Sequence, residues 1–76
     1  MLKDLLIFLA RSLVDNPDKV VVTETDNGQV VSFKLHVADE DMGKVIGKQG
    51  RNAQAIRMLM KAAASKENKK VIVDVE

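Results

Sequence analysis

Val45-Ile46-Gly47-Lys48-Gln49-Gly50-Arg51-Asn52-Ala53-Gln54-Ala55-Ile56 joins two helical patterns through a four-residue loop that opens and closes on glycine. Glycine at both ends permits backbone angles and a close approach that a side chain would block. The helix beginning at Arg51 directs its free N–H groups and the positive end of its dipole at this loop, which makes an anion site before any side chain is counted. Lys48 and Arg51 add mobile positive charge beside it, and Val45, Ile46 and Ile56 are expected to line an apolar groove next to the loop.

Working outward, the helix before the loop starts at Asp39, Glu40 and Asp41, whose charges suit a helix N-terminus, and has Met42, Val45 and Ile46 on its apolar side. The helix after it runs from Arg51 to about Ser65, with Asn52, Ala53, Ile56, Leu59, Met60 and Ala63 on one side. Upstream, Val20 to Thr25 and Val30 to Val37 read as strands joined by the tight-turn signal Asn27-Gly28. Val31, Phe33, Leu35 and Val37 alternate with Ser32, Lys34 and His36, so one face of that hairpin is buried and the other wet. Leu2, Leu5, Leu6, Leu9 and Leu13 mark an amphipathic first helix, which Pro17 brings to a stop. After a polar turn at 66–70, Val71, Ile72, Val73 and Val75 supply a last strand. The order is α-β-β-α-α-β, an α+β fold in which helices cover one face of a three-stranded sheet. With 76 residues there is room for one domain, spanning 1–76.

The loop and its flanks resemble the GxxG motif of the KH family, and the element order resembles that family's type II topology. The opening leucine-rich helix and Gly50-Arg51-x-Ala53-x-Ala55-Ile56-Arg57 are similar to the small bacterial single-KH proteins of the KhpA type. The resemblance implies a loop that clamps about four nucleotides of single-stranded RNA or DNA. It further implies an RNA chaperone or post-transcriptional regulator that pairs with itself or with a larger KH-containing partner. Ala53 departs from the larger aliphatic residue of many KH domains, which would widen or shallow the groove.

The charge distribution agrees with a polyanion ligand. From Met42 to Lys70 eight basic residues face Glu67 alone, a net of +7, while the rest of the chain sets four basic residues against ten acids, a net of −6. The RNA-binding set read from the sequence is therefore Lys44, Val45, Ile46, Gly47, Lys48, Gln49, Gly50, Arg51, Ile56 and Arg57, with Lys61 adding diffuse attraction. Phe8 and Phe33 both read as core, so base stacking on exposed aromatics is not expected, and recognition rests on aliphatic contacts and backbone hydrogen bonds.

Other chemistries fit less well. Gly43 to Gln49 resembles a phosphate-binding P-loop, but its glycine spacing is one residue short, Gln49 replaces the Ser/Thr that would hold magnesium, and a helix precedes it instead of a strand. With no cysteine and only His36, no metal site is expected, and catalysis and a cofactor are not expected either. The run Leu5 to Ala10 is too short to span a bilayer and lacks a signal-peptide context, so the chain reads as cytoplasmic with no membrane role. Finally, Ala55, Met58 and Ala62 widen the apolar arc of the long helix beyond what a two-layer fold needs, so the surface around Met58 and Leu59 is expected to make a helix-to-helix dimer contact. A protein-interaction adaptor, using the same fold mainly for dimerisation or ribosome-associated assembly, is the competing reading.

Overall fold

The computed structural model describes residues 2–76. Helix α1 (Leu2–Leu13) leads to strand β1 (Val21–Asp26), strand β2 (Val30–His36), the short helix α2 (Met42–Ile46), helix α3 (Arg51–Ser65) and strand β3 (Lys70–Val75). The expected order holds, with strand ends displaced by a residue. β1 and β2 pair antiparallel, with Val22 opposite Leu35 and Asp26 opposite Val31. β3 lies parallel to β2, with Phe33 opposite Val73, so β2 is the central strand and β1 and β3 are the edges. Parallel neighbours cannot be joined by a hairpin. The crossover from β2 to β3 is the α2–loop–α3 segment itself, which is how the topology brings the glycine loop to one end of the sheet.

One face of the sheet is covered and the other open. Val31, Phe33 and Leu35 are buried against the helices, whereas Lys34 and His36 on the opposite face are exposed. Leu2, Leu6 and Ala10, each four residues apart, form the buried stripe of α1. Ala53, Ile56, Met60 and Ala64 form that of α3. These helical stripes meet the inward strand residues in one apolar core.

Two expectations about the core are corrected here. Phe8 is 67% exposed. It stands two residues after Leu6, about 200° round the helix, and so points away from the sheet. Leu59 is 52% exposed for a related reason: it precedes Met60 by one residue, about 100° off the buried stripe. Ala53, in contrast, faces inward, so its small size thins the core packing of α3 and does not shallow a surface groove.

Candidate nucleic-acid interface

A five-residue helix has too few internal hydrogen bonds to hold its own shape. α2 is instead held from outside, at both ends. At its start, Asp39–Asp41 form a single 3₁₀ turn leading into the helix. The sequence reading gave these acids a helix-start role; Asp41 does something else. Its side chain makes no cap hydrogen bond to α2 and lies fully buried, where it accepts hydrogen bonds from the Asp15 N–H at 3.2 Å, the Asn16 N–H at 3.0 Å and the Asn16 Nδ2 at 3.0 Å. Burial works against the charge, but these donors outweigh it and hold the carboxyl below its ordinary pKa. Asp41 is thus an ionised brace between the turn after α1 and the start of α2. At the far end of α2, the Asn52 side-chain Nδ2 donates to the Lys44 carbonyl at 2.8 Å.

The loop between these braces is conformationally unusual. Gly47 has φ 74° and ψ 174°, Gln49 φ 59° and ψ 26°, and Gly50 φ 74° and ψ 13°. Three of its four residues therefore occupy positive φ, and at Gln49 a side chain bears the cost, on the order of 1–2 kcal/mol. Gly47 is required twice over: by its φ, and because a Cβ there would stand 2.7 Å from Asn52 Cγ and 2.9 Å from the Asn52 backbone nitrogen. Within the turn, the Gly47 N–H donates to the Gly43 carbonyl at 2.8 Å and the Gly50 N–H to the Gly47 carbonyl at 3.1 Å. No side chain caps the N-terminus of α3. The Arg51 N–H donates to the Lys48 carbonyl, so the loop closes directly onto the positive end of a 15-residue helix.

The sequence-predicted residues separate into three groups. Gly47, Lys48, Gln49, Gly50 and Arg51 come together at the loop; Lys48, Gln49 and Arg51 are exposed, and among the described residues neither cation has an acidic partner. Lys44 is exposed but ion-paired with Asp15, whose hydrogen bond raises the lysine pKa. Such an exposed pair stabilises little, yet it directs that ammonium toward α1. Val45 and Ile56 are corrected: both are buried in the core and support the loop from beneath, leaving Ile46, 38% exposed, as the apolar residue at the surface. Arg57 lies six residues along α3 from Arg51, about 9 Å down its axis. There its Nε donates to the Val73 carbonyl at 3.2 Å.

That contact marks a feature the sequence reading missed. Arg57 and Lys61 overhang a groove between α3 and the edge strand β3, floored by Val71 and Ile72 and closed at its far end by Asn68 and Lys70. Arg57, Lys61 and Ser65, which line it, recur at helical spacing along one side of α3, and the same stripe continued backward passes Gln54 to reach the loop at Gly50. The available signal was Ile72, an apolar residue at the outward position of a strand whose inward positions are Val71, Val73 and Val75.

A second apolar surface lies between α1 and α3, where Leu2 and Leu5 meet Leu59 and Ala62. Met58 is 66% exposed beside it. Among the described residues, no cluster of three His, Cys, Asp or Glu side chains could hold a metal ion, and no helix is long and apolar enough to cross a membrane.

A family model described as KhpA/KhpB, KH domain, matches residues 3–75. The chain is 58% identical to the RNA-binding protein KhpA of Clostridium acetobutylicum, over 97% of this chain and 99% of that one. It is 60% identical to the RNA-binding protein KhpA of Caldanaerobacter subterraneus subsp. tengcongensis, over 95% and 96% respectively. Its identity to the protein of the same name from Aquifex aeolicus is 45%, over 97% and 94%.

Proposed function

Because the chain belongs to the KhpA/KhpB KH-domain family, we propose that it is a single-KH cytoplasmic protein that binds single-stranded RNA at the Gly47–Gly50 loop. One observation carries this reading: a positive-φ loop feeds an N-terminus of α3 that no side chain among the described residues caps, and at its rim stand two cations, Lys48 and Arg51, that have no acidic partner among those residues. Backbone phosphates approach where Gly47 and Gly50 carry no side chain, the N–H groups of α3 meet their oxygens, and Lys48 and Arg51 neutralise them. Bases then lie over Ile46 beside the loop and along the groove over Ile72, with Arg57 and Lys61 beside them. Phe33 is buried and Phe8 sits on α1, so stacking at the loop does not contribute. Affinity for one domain is accordingly modest and sequence preference broad, which suits an RNA chaperone or post-transcriptional regulator.

The deciding experiment is a titration of short single-stranded RNAs with the wild type and a Lys48→Asp/Gln49→Asp double variant, folding being checked by circular dichroism. The expected result is a folded variant whose binding is weaker by more than about tenfold, a loss above 1.4 kcal/mol. Wild-type affinity should fall with salt at a log–log slope near −2, as neutralising about three phosphates of a single strand requires. Equal binding by the two proteins would overturn the loop assignment.

Exposed Met58 and Leu59 favour a companion reading, in which two copies, or this chain and a larger KH-containing protein, pair through α3. Two weak sites on one assembly gain affinity through avidity. Met58→Asp is expected to halve the mass in solution and to weaken RNA binding; an unchanged mass would sink the pairing, and an unchanged loop-variant titration alongside a disrupted dimer would favour the adaptor role instead.

A further inference from the structure

The last carbonyls of α2 have no intrahelical donors, as at any helix end. The Lys44 carbonyl finds one in Asn52, from the first turn of the next helix. Since the partner is a carbonyl, the amide must present its NH₂ group, and the orientation of the side chain is fixed by chemistry. The same side chain fills the space on the side of Gly47 where a Cβ would stand, within 2.8 Å of the Asn52 Cβ. One residue of α3 therefore touches both the last turn of α2 and the first residue of the loop, while lying half-buried and outside the core cluster.

We propose that Asn52 is the positioning residue of the glycine loop: it fixes the angle between α2 and α3, and so the direction in which the loop presents its N–H groups, Lys48 and Arg51. The inference rests on the RNA-binding reading above. Without the Asn52 bond, the side-chain ties left on α2, at Asp41 and from Lys44 to Asp15, run to the turn after α1 and none to α3, and the three positive-φ residues are free to leave a conformation that isolated chains seldom adopt. RNA binding must then restore that conformation and bears the ordering cost. Asn52 contributes little to the core, so its loss acts on binding more than on folding.

Asn52→Leu keeps the bulk beside Gly47 and removes the donor; Asn52→Ala removes both and is the second variant. The expected result is proteins that remain folded at the assay temperature but bind single-stranded RNA about tenfold more weakly, the fold-change that one net hydrogen bond supplies. The salt slope should become shallower, because fewer phosphates reach their donors at once, and the Gly47 and Gly50 amide resonances should shift. A merely structural role would lower the unfolding midpoint and leave the slope of the folded fraction untouched. Wild-type affinity and slope in Asn52→Leu, with binding abolished in Lys48→Asp/Gln49→Asp, would overturn the positioning role alone. If the loop double variant also binds normally, the RNA-site reading fails and this inference falls with it. Unfolding of both Asn52 variants would assign the residue to stability and equally overturn the proposal.

Discussion

The molecule contains two positive-φ glycine turns that differ in what accepts from their backbone donors: side chains in one, backbone carbonyls in the other. In the β1–β2 turn, Gly28 has φ 96°, its N–H donates to Asp26 Oδ1 at 2.8 Å, and the Gln29 and Val30 N–H groups donate to Asn27 Oδ1 at 3.1 and 2.8 Å. The side chains that make the turn also satisfy it, and the Lys69 ammonium beside it is paired with Asp26 at 3.0 Å. In the Gly47–Gly50 loop no side chain among the described residues caps the helix that follows, the Asn52 amide faces back to α2, and Lys48 and Arg51 stand unpaired among the described residues. Glycine and positive φ are common to both. What separates a connecting turn from a binding loop is whether its own side chains hold its donors and charges: the Gly47 and Gly50 N–H groups bond only to backbone carbonyls, and the loop's cations have no acidic partner among the described residues.

Alanine at each glycine sharpens this contrast and should give the largest effects. Gly47→Ala meets both a positive φ and the Asn52 side chain and backbone, so the loop must shift. Stability is expected to fall by about 2–3 kcal/mol in a denaturant titration, and RNA affinity by about a hundredfold. A Cβ at Gly28 meets nothing within 4 Å. Gly28→Ala therefore carries only the backbone term, about 1 kcal/mol, with RNA affinity unchanged. Equal damage to RNA binding from the two substitutions would erase the distinction between the turns.

The glycine loop was legible in the sequence because everything that defines it is local: two helical periodicities, four residues between them, and cations at fixed offsets. The element order was legible for the same reason. Local pattern failed where phase or distant partners decide. Phe8 has the composition of a core residue, but the stripe Leu2, Leu6, Ala10 sets the phase of α1 and leaves it outside. Val45 and Ile56 flank the loop, two residues before it and six after, yet in space they point inward, because the helices must bury an apolar side against the sheet. Asp41 looked like one of three helix-start acids; its donors lie 25 and 26 residues upstream, and no spacing rule reveals them. The groove over Ile72 exists because β3 is an edge strand, a property of the sheet and not of the strand.

The smallest expected effect tests how the quiet turn is held. Asp26 has its carboxyl below the ordinary value of 3.8, first because it accepts the Gly28 N–H and then because of the Lys69 ammonium. A carboxylate with a depressed folded-state pKa favours the folded form wherever the unfolded chain would bind the proton more readily. Its contribution is therefore complete above the ordinary carboxylate range and is lost as pH falls from there through the lower folded value. Asp26→Asn keeps an oxygen for the Gly28 N–H but removes the charge that Lys69 meets. Unfolding midpoints of wild type and variant, measured from neutral pH downward, should differ slightly near pH 7 and converge in acid, once Asp26 in the wild type is protonated. A gap that persists at the lowest pH would mean that Asp26 acts through the shape of its hydrogen bond alone, and that the charge pairing of this turn, half of what distinguishes it from the glycine loop, contributes nothing to holding it.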